Sequence, residues 1–284
     1  MMKHAEQKKM KIGQRLASFI QRHRLFILIL GAVVVLTPIL VFVVDAISQR
    51  VLADATDLAF KAEKKLNEYQ EAKKAKVDEA KLASLENEAM GLLEDLINRY
   101  VNYYGGLKAL RNRADLNLAK LKEGVADKGN ELFLQALADL LTIVNRAPHS
   151  ILASTALMDA ATLVLNLPIM KENASTTNFT VTPAEVYKTI EERLKIPADI
   201  ASTLQSSYQD QAMYLYQYLV NNFPKSVHVP EALINLAALY EAKGAYKEAG
   251  EIYGRLESDF SNNAWTKLAQ NQMLRLITEG HLAE

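Results

Sequence analysis

Apolar residues recur at intervals of three and four along most of the chain, with polar and charged residues between them. This is the spacing of a helix that buries one face, because 3.6 residues make one helical turn. The clearest long stripe consists of Val51, Ala55, Leu58, Ala62, Leu66 and Tyr69. The pattern predicts an all-α protein, with a first helix over about residues 45–75 and a second helix packed back against it.

The most regular stretch is a unit of 34 residues, from Pro230 to Asn263. Leu236 and Tyr240 are one turn apart on its first helical pattern, and Gly244 marks the turn that follows. Ala249 then allows the second helix to approach the first closely. The unit is therefore predicted to form a helix-turn-helix.

This unit resembles a tetratricopeptide repeat (TPR). The residues on the offsets of that family are Leu233, Leu236, Ala237, Tyr240, Gly244, Tyr246, Ala249 and Tyr253, and Phe260-Ser261 stands where a bulky residue and a closing proline are usual. The resemblance implies a TPR-like α-solenoid, a stack of helix pairs that holds other proteins on its surface. A last helix over about residues 263–278 would cap the stack.

A reduced form of this spacing recurs along the chain. It consists of an alanine, a residue at the place of the closing proline twelve residues later, which we call the stop, and a second alanine eight residues after the stop. The four copies are Ala89, Val101, Ala109; Ala136, Pro148, Ala156; Ala212, Pro224, Ala232; and Ala249, Ser261, Ala269. We interpret them as further packing positions of the repeat. An ordinary helical bundle with small residues at its helix crossings is the alternative.

A run of twenty uncharged residues, from Leu25 to Val44, precedes the repeats. A helix of that length covers roughly the 30 Å of a bilayer core, and Pro38 is tolerable in a lipid-embedded helix. We predict a transmembrane helix over residues 25–44. A cleaved signal peptide is the alternative, although its apolar region is usually shorter, about 7 to 15 residues.

The flanking charge predicts the orientation of this helix. Residues 1–24 form a basic tail with seven Lys or Arg against Glu6, which the positive-inside rule assigns to the cytoplasm. Residues 45–284 would then lie in the periplasm of a bacterium with two membranes, attached to its inner membrane. The order of parts is similar to that of single-span TPR proteins that accompany the Sec translocon, and the repeat resembles those of outer-membrane-assembly TPR lipoproteins.

Charge and composition restrict the kinds of ligand and reaction that the chain is expected to support. Removing the tail's 7 positive and 1 negative side chains from 33 of each leaves 26 positive and 32 negative ones for residues 45–284, a balance that opposes nucleic-acid binding. The chain has no cysteine, and its five histidines are scattered without metal-ligand spacing. We expect no enzyme activity, no cofactor, no metal and no small-molecule substrate.

One segment, residues 168–182, interrupts the helical pattern with Ser, Thr and Asn. The sequence Thr182-Pro183-Ala184-Glu185 closes it as a capping box. A short helix over residues 183–195 is predicted next, followed beyond Pro197 by a helix that ends at Asn222.

Tyrosines on that last helix are the candidate contact residues, because tyrosine offers a large contact area at little entropic cost. The candidates are Tyr208, Tyr214 and Tyr218. We expect a membrane-tethered scaffold or chaperone-like adaptor that binds other proteins of the cell envelope. The alternative is a permanent structural subunit of a large envelope assembly, such as a flagellar-motor collar or an outer-membrane assembly bridge, in which the chain could also be oligomeric.

Overall fold

The computed structural model describes residues 17, 19–123, 128–173, 179–261 and 263–283. These residues are largely helical and contain no β-strand. The predicted all-α class is therefore confirmed for the described part of the chain. The helices are α1 (Arg24–Lys74), α2 (Glu79–Tyr100), α3 (Tyr104–Lys122), α4 (Gly129–Arg146), α5 (Ile151–Asn173), α6 (Pro183–Glu191), α7 (Ala201–Ser206), α8 (Tyr208–Asn222), α9 (Val229–Ala242), α10 (Tyr246–Asp259) and α11 (Ala264–Thr278).

The chain divides into two units, Met1–Asp57 and Leu58–Glu284. In the first unit, α1 contains the whole predicted span with Pro38 inside the helix. The described large apolar side chains of the span are all exposed, for example Leu28 at 70% and Phe42 at 74%. Length and composition would let α1 cross a membrane. Length and composition would also let α5 cross a membrane, but 56% of its most apolar stretch is buried inside the fold.

In the second unit, most helices pack on their neighbours in chain order. This holds from α2 through α5 and again from α8 through α11. Between these runs α5 packs directly on α8, and the intervening α6 and α7 lie against α4 and α8. The α6–α7 segment is therefore an insertion that covers one side of an otherwise sequential array.

Among the described residues, two apolar cores stabilise the second unit. The larger one runs from Leu107 to Leu276 and has fully buried side chains such as Phe133 and Leu157 at its centre. The smaller one consists of Ala62, Leu93, Leu96 and Ala109, where α1, α2 and α3 meet. We call this smaller core the N-terminal junction.

The alanine spacing marks helix packing positions throughout the second unit. All eight alanines of the four copies are at most 2% exposed. Pro148, Pro224 and Ser261 each lie two residues beyond the end of a helix, and Val101 lies one residue beyond. Each copy thus joins one helix to the next through a turn of three to six residues.

The 34-residue unit corresponds to α9 and α10. Gly244 lies in the turn with φ of 73°, a conformation that a residue with a Cβ rarely adopts. Leu236, Ala237, Ala249 and Tyr253 are buried. The remaining packing positions, Tyr240 and Tyr246, are half-buried against the larger core.

The predicted interruption at residues 168–182 begins later than the sequence suggested. Helix α5 continues through Pro168 to Asn173, and Leu167 beside the proline is fully buried. A proline removes one helical hydrogen bond, but the packing of this turn against the core retains the helix. Residues 174–178 lie outside the described part. The capping box is present, since Thr182 Oγ1 accepts from the Glu185 N–H and Glu185 accepts from the Thr182 N–H.

The helices after the interruption at residues 168–182 are also shorter than predicted. Helix α6 ends at Glu191, and Leu194 is buried in the turn that follows. The predicted helix up to Asn222 is divided into α7 and α8 at Ser207. Ser207 has an extended backbone, and its side chain accepts the Asp210 N–H at 3.2 Å, so it begins a new helix.

Candidate interaction surfaces

Two of the predicted contact tyrosines on α8, Tyr208 and Tyr214, bond to the segments on either side of α6. Tyr208 donates its hydroxyl hydrogen to the Val181 carbonyl, and Lys171 Nζ lies 5.8 Å from the centre of its ring. Tyr214 donates to the Lys195 carbonyl at 3.0 Å. Both hydroxyls therefore fasten segments that flank α6 to the array.

Tyr218 lies one turn beyond Tyr214, and the two rings are 6.1 Å apart. Burial raises the pKa of Tyr214 to about 12, with a further contribution from Tyr218. Tyr214 and Tyr218 are each half-buried. Tyr214 and Tyr218 thus lie together, and all three candidates are partly buried rather than fully exposed.

Gln211 adds a third attachment for the insertion. Its side chain is fully buried, and Nε2 donates to the Pro183 carbonyl at 2.7 Å and to the Leu204 carbonyl at 2.6 Å. These carbonyls belong to the start of α6 and to α7. Among the residues that the structure describes, Gln211 Oε1 has no hydrogen-bond partner.

Tyr216, on the other side of α8, is fully buried. Its hydroxyl lies 3.2 Å from Thr162 Oγ1 of α5 and accepts from Asn235 Nδ2 of α9 at 3.3 Å. The buried polar group is therefore satisfied by both neighbouring helices, as burial of a hydroxyl requires. Tyr216 has a packing role.

A second surface is defined by polar pairs that join every other helix of the array. Glu63 of α1 pairs with Lys108 of α3, and Arg111 of α3 pairs with Asp159 of α5. These pairs show that the three helices are neighbours along one side of the second unit.

The same side continues through α9 to α11. Thr155 Oγ1 of α5 lies 3.1 Å from His228 Nε2 at the start of α9, and Glu241 of α9 pairs with Arg275 of α11. Helices α3, α5, α9 and α11 therefore line one side, which we call the alternate-helix face. The insertion packs on α4 and α8, the helices of the other layer.

One charged group on the alternate-helix face surrounds Asp159. Burial raises the pKa of the Asp159 carboxyl, and Arg111 opposes that shift. Arg111 also pairs with Asp115 at 3.3 Å. The result is a compact group of one cation and two carboxyls between α3 and α5, with His228 close enough to act on Asp159 electrostatically.

A different ion pair, Arg113 with Asp139, belongs to the interior. Its two hydrogen bonds measure 2.8 and 2.7 Å, and Gln135 donates a third to Asp139 at 2.8 Å. The carboxyl is 2% exposed, and the hydrogen bond to Asp139 raises the pKa of Arg113. This pair joins α3 to α4 and has a structural role.

The sequence did not predict the alternate-helix face. Arg111 and Asp159 are separated by 48 residues, and nothing in their local spacing connects them. A signal was nevertheless present: Asp159 is a charged residue within a strongly apolar helical run, and such a residue generally has a partner when it is buried.

Neither chemistry nor similarity identifies a further site. Among the described residues, no group of three or more His, Asp or Glu side chains could hold a metal ion. Comparisons of the chain with family models, curated proteins and solved structures gave no match.

Proposed function

We propose that this chain is a membrane-tethered scaffold that binds other proteins through the alternate-helix face of a TPR-like array. The polar pairs along α3, α5, α9 and α11 carry the proposal, because they define a surface that the α6–α7 insertion leaves uncovered. Stacked helix pairs commonly bind partners on such a surface. The TPR resemblance of residues 230–263 supports the same function.

The exposed apolar part of α1 supports membrane attachment. An anchor of this kind raises the concentration of the array near the membrane, so weak contacts with envelope proteins become effective. The basic tail favours an inner-membrane protein whose array lies in the periplasm.

Site-specific photo-crosslinking in cells tests the proposal. A photoreactive residue is introduced at Asp115 of α3 and Ala238 of α9, both exposed on the alternate-helix face. Matched positions are Glu131 of α4 and Glu251 of α10, which are exposed on the other layer. Tyr218 provides a third kind of position, on the surface that the sequence predicted.

We expect protein adducts from Asp115 and Ala238, and few from Glu131 and Glu251. Adducts from Tyr218 alone would move the binding surface to α8 and contradict the proposal. Mass spectrometry of the adducts separates two modes of action. Many exported chains indicate a chaperone-like adaptor, whereas one constant set of envelope proteins indicates a structural subunit.

A further inference from the structure

Exposed apolar side chains recur at one position of the repeat. Each copy of the alanine spacing has a stop: Val101, Pro148, Pro224 or Ser261. The third residue after these stops is, in the same order, Tyr104, Ile151, Val227 and Ala264. Ile151 is 83% exposed and Val227 80%, the two highest values among the described large apolar side chains, and Tyr104 is 65% exposed. Other exposed apolar residues, such as Ile169 and Leu274, do not share this position.

The array brings these residues to one edge. Thr155, one turn after Ile151, contacts His228, the residue after Val227. Arg111 and Asp159, which form an ion pair, lie two turns after Tyr104 and Ile151 respectively. Helices α3 and α5 are therefore in register at their starts, and Tyr104, Ile151 and Val227 form a row that we call the turn edge.

The charge near the turn edge differs from that of the rest of the domain. Residues 45–284 carry more acids than bases, yet residues 96–114, 140–158 and 211–230 contain no Asp or Glu. Each of these stretches surrounds one turn and includes an exposed cation: Arg99, Arg146 and Lys225. Arg99 lies 3.6 Å from Asp95 on its own helix.

From this arrangement we propose that the turn edge binds an anionic phospholipid surface. Single large apolar side chains in or directly after three turns of one edge match a fluid apolar layer, which needs no preformed pocket for each of them. Nearby Lys and Arg side chains favour anionic headgroups, and aromatic residues such as Tyr104 are favoured at the membrane interface. The bilayer is supplied by the membrane attachment proposed above, on which this inference rests.

Single-cysteine variants of the full chain test the edge directly, because the natural chain has no cysteine. Ile151→Cys and Val227→Cys place an environment-sensitive fluorophore on the edge. Ala242→Cys is the matched control, since Ala242 is exposed and ends α9 at the opposite end from Val227. The chains are reconstituted in phosphatidylcholine vesicles with or without phosphatidylglycerol, and quenching by neutral acrylamide is measured.

We expect phosphatidylglycerol to reduce quenching severalfold at Ile151 and Val227 but not at Ala242. Arg146→Gln and Lys225→Gln should each weaken this protection by about fivefold, the effect of one basic side chain near an anionic surface. The Ala242 label also corrects for molecules inserted with the array inside the vesicle, because the lumen would shield all three labels.

Equal quenching at all three labels in phosphatidylglycerol vesicles would overturn the inference. Protection that appears only in native membranes would also overturn it, because the partner would then be a protein. Flotation of the chain with the vesicles reports membrane attachment separately. A chain that floats with unprotected labels refutes the turn edge alone, and a chain that fails to float refutes the anchor.

Discussion

The N-terminal junction and the centre of the array use the same alanine spacing but are stabilised differently. At the junction, Ala109 belongs to a core of only four described residues, and Ala89 is buried outside that core. At the centre, Ala136 of α4 and Ala156 of α5 belong to a core that extends over six other helices. Helices therefore approach each other closely in both regions, but the apolar core at the centre of the array is much larger than that of the junction.

Ion pairs are concentrated where apolar burial is small. Lys65 pairs with Glu88 at 3.0 Å, Glu63 with Lys108, Lys73 with Glu123, and Lys120 with Glu86, and all of these contacts join α1, α2 and α3 or the turn after α3. Partly exposed ion pairs are weak and sensitive to salt. We therefore expect the junction to open at a lower free energy than the array, as stability commonly varies within one fold.

Truncation of a large core side chain should have the largest effect. Phe133 is fully buried and its ring lies 5.9 Å from that of Phe179 beside the insertion. Phe133→Ala should lower the free energy of unfolding by about 3–5 kcal/mol. Denaturant unfolding of the full chain in detergent, followed by circular dichroism, measures the loss.

The matched change at the junction is Leu93→Ala. It should increase hydrogen exchange in α2 while leaving exchange in α9 and α10 unchanged. If Leu93→Ala destabilised α9 and α10 as much as α2, the two regions would be one cooperative unit and the comparison would fail.

A glycine substitution should have the next largest effect. A Cβ at Gly106 would lie 2.0 Å from the Tyr100 carbonyl oxygen, a backbone atom that cannot move aside cheaply. Gly106→Ala should cost about 1–3 kcal/mol or more by overpacking. The control is Gly91→Ala on α2, where an added Cβ would have no described atom beyond the helix's own nearby backbone within 4 Å. The loss of glycine there should stabilise the helix by about 0.5–1 kcal/mol. Equal effects of the two substitutions in thermal unfolding would contradict the steric argument.

Alkaline pH should weaken the array by a smaller amount. The folded pKa of Tyr214 is raised to about 12, whereas an unfolded tyrosine titrates near about 10. The stabilisation is therefore complete below about pH 10 and is lost as the pH rises toward about 12, because the unfolded chain releases its proton first. Tyr214→Phe should reduce the fall in stability over this range. If the Tyr214→Phe variant lost as much stability over this pH range as the natural chain, the loss would be due to other titratable side chains.

Salt should have the smallest effect, and it should act on the junction. Ion pairs such as Lys120–Glu86 contribute about 0–1 kcal/mol each. Raising the ionic strength should increase hydrogen exchange in α2 slightly and leave α9 unchanged. A larger increase in α9 than in α2 would reverse the predicted order of the two regions.

Local spacing predicted the features that depend on short segments. The alanine copies located helix packing at both regions, and Gly244 marked a turn that requires positive φ. The sequence did not predict that α5 continues through Pro168, because burial of Leu167 and the packing around it decide that point. Nor did it predict the carbonyl that accepts from Tyr214, since Lys195 belongs to a different segment.

The direct packing of α5 on α8 has a consequence for the order of folding. The two helices are separated by 34 residues, from 174 to 207, whereas α9 and α10 are joined by a three-residue turn. Closing the longer loop costs roughly 2–3 kcal/mol more in chain entropy. The array is therefore expected to assemble as two local blocks, α2 to α5 and α8 to α11, whose joining is the late step of folding.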